Sequence, residues 1–477
     1  MKILDPPTTI PKKGTDIQLS IESLAFGGMG VSRIGDMIVF VKNSIPGQTV
    51  LARITKKRSS FLEARALEII KESSLAVDVK CEHFRDCGGC TFQNLDYAEQ
   101  LVAKEVQVKD IFRRIGGFKD VAVKPILGCE EIFHYRNKME FTFSNRRWLT
   151  KGEPEDTSAD FALGLHVPGR YDKILNINEC HIQSKDSNRI LDLVKDMTVD
   201  LELVPYDIKT HTGFIRHLMI RHGSASDEIM VNIVTSRDEH EKLQPIVDKL
   251  IEEFPNIVSI VNNITSRRAG VSTGEKQLIL FGKDTINDKL GDYEYMISAD
   301  SFFQTNTHQA KRLYDIIQEE AALTRDDVLY DLFCGTGSIS IYLAKSAKIV
   351  YGFELVMSAV QDAIQNAHTN GIKNAWFFGG DLMNLFQTNI EAQQIELPDV
   401  MVVDPPRAGL HPNTINDIIE KAPKRLVYVS CNPSTQARDL KVLCENGFDL
   451  IKLRPVDMFP HTPHVENVAT LILEDSK

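Results

Sequence analysis

The rhythm of apolar and polar positions changes along the chain. From about Thr15 to Ile70 the runs are short and alternate with period two: Asp16-Ile17-Gln18-Leu19-Ser20-Ile21, Met37-Ile38-Val39-Phe40-Val41 and Thr49-Val50-Leu51-Ala52-Arg53-Ile54. Half-buried strands show this pattern. Phe26-Gly27-Gly28-Met29-Gly30-Val31 and Ile45-Pro46-Gly47-Gln48 read as the turns between them. Five short strands with glycine turns predict a small OB-like β-barrel, with a domain over residues 10–72. A helix is expected over Asp96–Ile115, with Val102, Val106, Val108, Ile111 and Phe112 as its apolar stripe and Gly116-Gly117 as its stop. From Ile190 to Leu280, runs such as Ile229–Val234 and Ile257–Val261 alternate with helical stretches, which predicts a mixed α+β central domain over 73–284. From about Thr285 each apolar run is followed by turn chemistry and a helical pattern: Val328–Phe333, Ile349–Phe353, Ala375–Phe378, Val400–Val403 and Leu426–Val429. This predicts a Rossmann-like, doubly wound parallel sheet over 285–477. The expected fold class is therefore multidomain α/β.

Composition narrows the class. A chain of 477 residues is too long for one core, and 43% hydrophobic with 25% charged residues is ordinary for a globular protein. Met1–Pro7 has no apolar core of a signal peptide, and no run approaches membrane-spanning length, so a cytoplasmic protein with no membrane partner is expected. The net charge of −11 argues against wholesale nucleic-acid binding. A local basic patch still exists: Lys56-Lys57-Arg58, with Arg53 and Arg65 nearby, suits phosphate contact, although a short charge run alone reads as a solvated face. Eight cysteines in a reducing compartment read as metal ligands, a nucleophile or core rather than disulfides.

Six stretches carry chemistry. Cys81-Glu82-His83-Phe84-Arg85-Asp86-Cys87-Gly88-Gly89-Cys90 packs three thiols into a glycine-containing segment. A metal or cluster there needs a fourth ligand, from Cys180, Cys129 or a histidine, and the spacing leaves zinc and iron–sulfur both open. His134–Phe143 interleaves cationic and aromatic side chains, which suits a flipped base and its phosphates as well as it suits an amphipathic strand. Asp331-Leu332-Phe333-Cys334-Gly335-Thr336-Gly337-Ser338 is a glycine loop ending a strand, with Glu354 at the end of the next strand to hold ribose hydroxyls. Ile339 and Ser340 stand where a dinucleotide fingerprint continues to its third glycine, so S-adenosylmethionine fits better than NAD, and Asp381 is placed to meet an adenine edge. Cys334 reads as structural. Asp404-Pro405-Pro406-Arg407 ends the fourth strand, and a thiol, Cys431, follows the fifth. Amino-group methylation would favour an aromatic residue where Arg407 stands and has no need of a cysteine, so both facts favour carbon methylation. Alone, Cys431 would read as a core thiol. Beside these strand ends it reads as a nucleophile that adds to carbon 6 of uracil and so activates carbon 5. A base must then remove the carbon 5 proton; Glu466 is the candidate, and His461 and His464 are its rivals.

These motifs together resemble the bacterial RNA (uracil-5-)-methyltransferase family, and within it the 23S rRNA branch. The first stretch, with "AFGGMGVSR" and "FVKNSIPGQTVLARI", resembles the TRAM domain of RNA-modifying enzymes. The likeness continues through "CGGC", "YRNKMEFTF", "SFFQTN", "DLFCGTG", "DPPRAG", "YVSCNPSTQARDL" and "HVE". It implies Cys431 as nucleophile and Glu466 as proton-abstracting base. It implies S-adenosylmethionine contacts from Gln304, Phe333, Ser338, Glu354, Asp381 and Asp404. It implies a [4Fe-4S] cluster on Cys81, Cys87, Cys90 and Cys180, and a helix from about Tyr97 to Phe118 packed on the catalytic domain. The expectation is a monomer that makes 5-methyluridine in a loop or single-stranded segment of 23S rRNA. A tRNA uridine as substrate, or a non-catalytic RNA-binding protein on the same fold, are the alternatives.

Overall fold

The computed structural model describes residues 10–154, 156–268, 274–380 and 395–474. The alternating first stretch forms one six-stranded sheet: β1 (Asp16–Ser20), β2 (Ser23–Leu24), β3 (Gly30–Ile34), β4 (Met37–Lys42), β5 (Thr49–Lys57) and β6 (Phe61–Lys71). Their order is β1-β5-β6-β4-β3-β2, antiparallel except for the β4–β6 pair. The sheet has six strands where the pattern suggests five, because two-residue β2 is too short to show alternation. Ile17, Leu19, Val39, Val41, Val50 and Ala52 fill its core. The basic patch is partly neutralised, since Arg53 pairs with Asp16 at 2.6 Å and Lys56 with Glu63 at 2.9 Å.

Helix α1 (Tyr97–Ile111) starts at Asp96, whose side chain accepts from the Ala98 N–H at 2.9 Å, and runs through a π-helical turn to Gly117 at φ 79°. Its buried face is the expected one only in part: Val108 and Phe112 are fully buried and Ile111 packs against the same core. Val102 and Val106 are 56% and 50% exposed, while Gln100, Lys104, Gln107 and Val108 are buried. The reason is polar: those three side chains spend their hydrogen bonds on loops packed against the helix. After it, β7 (Ala122–Val123) reaches the edge of the C-terminal sheet.

The middle of the chain builds an eight-stranded mixed sheet. It contains β8 (Lys138–Ser144), β9 (Arg147–Trp148), β10 (Ala162–Val167) and β11 (Arg170–Asn176), then, after α2 (Lys185–Asp200), β12 (Ile215–His222) and β13 (Ile229–Thr235). Helix α3 (Gln244–Glu253) leads to β14 (Ile257–Ile264) and β15 (Lys276–Gly282). Ile190, Leu191 and Val194 of α2 and Ile246 and Leu250 of α3 belong to the same core as Leu218 of β12.

A hairpin, β16 (Thr285–Leu290) with β17 (Tyr293–Ser298), and α4 (Thr307–Ala321) precede the last sheet. That sheet follows the strand–helix rhythm: β18 (Val328–Leu332), α5 (Ser338–Leu343), β19 (Ile349–Glu354), α6 (Met357–Thr369), β20 (Ala375–Gly379), β21 (Val400–Val403), α7 (Pro412–Lys421), β22 (Arg425–Ser430), α8 (Pro433–Cys444), β23 (Phe448–Val456) and β24 (Glu466–Leu473). The order is β20-β19-β18-β21-β22-β24-β23-β7. Strands β18 to β22 are parallel as expected, but β24 is antiparallel to both neighbours. Parallel neighbours need a crossover of a dozen or more residues, and the 457–465 connection is too short for one.

Candidate active site and four-cysteine cavity

Three strand ends meet at one edge of the C-terminal sheet. Pairing of β21 with β18 sets Val403 opposite Leu332, so Asp404 and Phe333 leave the sheet side by side. Pairing of β22 with β24 sets Ser430 opposite Asn467, so the next residues on each chain, Cys431 and Glu466, face each other. Cys431 is held there by the start of α8: Asn432 caps the helix by accepting from the Ser434 N–H at 3.1 Å, and Pro433 follows with φ already suited to a helix. The Asn432 amide and the Thr435 hydroxyl both donate to the Arg407 carbonyl, at 3.0 and 3.2 Å, which ties the Pro405-Pro406-Arg407 turn to the cysteine's helix.

The electrostatics of this cluster are opposed. Burial, then the nearby Glu466 and Asp404 carboxyls, push the Cys431 thiol up to about 11, while the Arg407 guanidinium pulls against them. Burial and Asp404 raise Glu466 to about 8, again against Arg407. Burial raises Asp404 to about 7, and among the described residues no hydrogen bond offsets that burial. Arg407 also lies 3.0 Å from Nδ1 of His464, whose pKa falls to about 4 through burial and this cation. Sequence reasoning noted Arg407 only as a missing aromatic; its position straight after the two prolines was the available signal.

The glycine loop lies at the end of β18. Phe333, at φ 65°, turns the chain, and the Gly335 N–H donates to Glu354 at 3.0 Å. The other Glu354 oxygen accepts from the Val356 N–H at 2.9 Å, so the carboxylate is fixed from both sides. Gly337, at φ 75°, sits where a Cβ would meet Ala363 and Phe377 at 2.9 Å. The Ser338 hydroxyl lies 2.8 Å from that of Tyr314, a buried residue that also bonds the Gln304 side chain. Nothing in the sequence pattern singled out Tyr314. Asp381 lies outside the described residues.

Cys81, Cys87, Cys90 and Cys180 wall a single small cavity between the 81–90 segment and the start of α2. Burial raises all four thiols, and N–H groups aim at each sulfur: His83 and Phe84 at Cys81, Gly89 at Cys87, the Gln93 side chain at Cys90, and Ile182 and Gln183 at Cys180. Cys129 is elsewhere, donating to the Asp457 carbonyl at 3.1 Å. Among the described residues no three His, Cys, Asp or Glu side chains are gathered closely enough to hold a single metal ion. Among them, too, no helix is long and apolar enough to cross a membrane.

Residues 223–474 match the family model described as tRNA (Uracil-5-)-methyltransferase, and residues 12–67 match the TRAM domain. A protein of Chlorobaculum tepidum named uncharacterized RNA methyltransferase is 40% identical over 472 residues, 96% of each chain. One of the same name from Bacillus cereus is 38% identical over 98% of this chain and 99% of its own. The crystal structure of Pyrococcus abyssi tRNA (uracil-54, C5)-methyltransferase in complex with S-adenosyl-L-homocysteine is 30% identical, with a TM-score of 0.73 over 96% of this chain and 100% of its own. The chain therefore belongs to the S-adenosylmethionine-dependent RNA (uracil-5-)-methyltransferase family, and is an RNA methyltransferase with an N-terminal TRAM domain and a class I methyltransferase fold.

Proposed function

We propose that this enzyme converts a uridine of 23S rRNA to 5-methyluridine, with Cys431 as nucleophile and Glu466 as base. The observation that carries the reading is the strand register that sets Cys431 opposite Glu466, with Asp404 and Arg407 around them. The Cys431 thiolate adds to carbon 6 of a uracil presented out of its stack, and carbon 5 becomes nucleophilic. Arg407 favours that thiolate against the two carboxyls. S-adenosylmethionine, when bound, supplies the methyl group. Glu466 then takes the carbon 5 proton, and Cys431 leaves as the carbon 5–carbon 6 double bond reforms. A carboxylate whose pKa is raised to about 8 is a stronger base than an ordinary glutamate, which suits this step. The rival histidines are less suited: His464 is engaged with Arg407, and the buried His461 ring packs on Phe133 at 4.5 Å.

Gln304, Phe333, Ser338, Glu354, Asp381 and Asp404 are the proposed cofactor contacts. Two observations support this for the described residues: the left-handed turn that bares the loop at Gly335, and an Asp404 carboxyl with nothing to offset its burial. A sulfonium cation nearby would compensate that carboxyl.

Cys81, Cys87, Cys90 and Cys180 are proposed to hold a [4Fe-4S] cluster. Four convergent thiols with amides aimed at the sulfurs suit thiolate ligation. Protein purified without oxygen should be brown; a colourless protein with stoichiometric zinc would reject the assignment.

A tRNA uridine is the second reading, favoured by the full-length likeness to the Pyrococcus abyssi enzyme. Mapping 5-methyluridine in a deletion strain separates the two: loss from tRNA alone would refute the rRNA assignment. Cys431→Ala should bind cofactor and RNA and transfer no methyl group.

A further inference from the structure

Among the described residues no hydrogen bond holds the Glu466 carboxyl. Its aim depends on its backbone, which is the first residue of β24 and pairs with Val456, the last residue of β23. The 457–465 connection between those strands is tied down from four directions. From α1, the fully buried Gln100 accepts from the His461 N–H at 2.9 Å and donates to the Phe92 and Leu95 carbonyls at 3.0 and 2.8 Å. From the loop beside the four-cysteine cavity, the Thr91 and Phe92 N–H groups both donate to the His461 carbonyl, at 2.8 and 2.9 Å. From the central region, the Tyr135 hydroxyl donates to the Pro460 carbonyl at 3.1 Å. From the first sheet, Gly28 packs so closely that a Cβ there would lie 3.3 Å from Pro463. His461 itself is at φ 65°, a left-handed conformation that a non-glycine residue keeps only where its surroundings impose it.

We propose that Gln100 and the Thr91–Phe92 amides are positioning groups for the catalytic base: they lock the His461 backbone, and through it the five-residue approach to Glu466. The proposal rests on Glu466 being the base. It explains why α1 buries a glutamine where an apolar stripe was expected, and why the cysteine-rich segment sits beside the reaction centre. Cys90 immediately precedes Thr91, so the cavity's wall and the clamp share one loop.

The chemistry makes the proposal separable from a general loss of fold. Addition forms the bond between Cys431 sulfur and carbon 6; carbon 5 then takes the methyl group of S-adenosylmethionine, which leaves as the thioether. Breaking the sulfur–carbon 6 bond requires that carbon 5 lose its proton to Glu466, the freed electron pair restoring the double bond. A displaced base slows only this last step. A misplacement of about 1 Å can cost about 100-fold.

The test uses the full-length enzyme with substrate RNA and S-adenosylmethionine, read on denaturing gels for covalent enzyme–RNA adduct beside steady-state turnover. Gln100→Met removes the acceptor for the His461 N–H at similar volume. Gln100→Asn keeps the amide but draws it back by one methylene, so it no longer reaches the His461 N–H, and as a smaller, polar change this variant should fold even if the first does not. Expected for each folded variant are a fall in kcat of about 10–100-fold, accumulated methylated adduct, and retained S-adenosylmethionine affinity by calorimetry. Turnover at the wild-type rate, or lost turnover without adduct, would overturn the proposal. Glu466→Gln is the control. If it traps adduct and the other two do not, the positioning role alone fails; if it turns over normally, the assignment of the base fails first.

Discussion

The buried pair of Lys104 and Asp457 offers a quantitative test of how the tail is held. Lys104 Nζ lies 2.6 Å from Asp457 Oδ1, and both side chains are 0% exposed. Around them, the Tyr97 hydroxyl donates to the other Asp457 oxygen at 2.9 Å, Lys104 donates to the Phe459 carbonyl at 3.3 Å, and the Phe459 N–H donates to Asp457 at 3.2 Å. Lys104→Met keeps most of the stem's volume and deletes the cation. Asp457 is then a carboxylate cut off from water, with one hydroxyl and one amide left as partners. Removing one member of a buried pair costs about 3–5 kcal/mol, because the remaining charge keeps its desolvation penalty. For a cooperative unit of 150–250 residues each kcal/mol moves Tm by about 2–4 °C, so a fall of about 6–20 °C is expected. Asp457→Asn alone should also destabilise, since it strands the ammonium. The double variant Lys104→Met/Asp457→Asn leaves no charge to compensate and should recover at least about 1 kcal/mol relative to Lys104→Met, because neighbouring changes in one network are not additive. Calorimetry and urea denaturation followed by circular dichroism of the four proteins complete the cycle. A loss below about 1 kcal/mol in Lys104→Met, or strictly additive effects, would refute the view that this pair anchors the tail.

Three further predictions concern charge and the helix face. Because burial raises Glu466 from 4.5 to about 8, the folded protein holds a proton between those values that the unfolded chain has released; stability falls as pH rises through that window and the loss is complete above about pH 8. Glu466→Gln should match wild type near pH 5 and exceed it by more than about 1 kcal/mol above pH 8, since one pKa unit is about 1.4 kcal/mol; parallel denaturation curves at both pH values would refute the assignment. Arg407→Lys should slow both methyl transfer and alkylation of Cys431 by iodoacetamide at pH 8, because a lysine cannot keep the planar guanidinium contacts to the thiol and His464; unchanged alkylation would show that Arg407 does not favour the thiolate. Val106→Glu should alter stability by less than about 0.5 kcal/mol, since Val106 is half exposed; a large loss in thermal denaturation would return the apolar stripe to the buried face.

Helix α1 shows where sequence reasoning goes astray. Its existence and its Gly116-Gly117 stop were legible, because they depend on residues near in sequence. Its buried face was legible at Val108, Ile111 and Phe112 but not in its first turns, because periodicity counts apolar residues and the face there carries Gln100, Lys104 and Gln107. Beyond Phe92, just ahead of the helix, their partners Leu24, Asp457 and His461 come from two distant parts of the chain. Arg407 and Tyr314 were missed for the same reason: each acts on groups more than twenty residues away in sequence.

Local chemistry could be read from the chain itself. The strand runs, the glycine loop, the two prolines, the three clustered cysteines and the lone thiol after a strand all declare themselves through residue type and near-neighbour spacing. Tertiary structure decided what those parts face. A nine-residue connection, too short for a crossover, turned β24 back antiparallel to β23, and its insertion between β23 and β22, in register with β22, sets Glu466 against Cys431. Packing likewise brought Cys180 to the other three cysteines and left Cys129 out. Hydrogen bonds and buried charges are satisfied in space rather than along the sequence, so pairings between distant residues become visible only when the chain is folded.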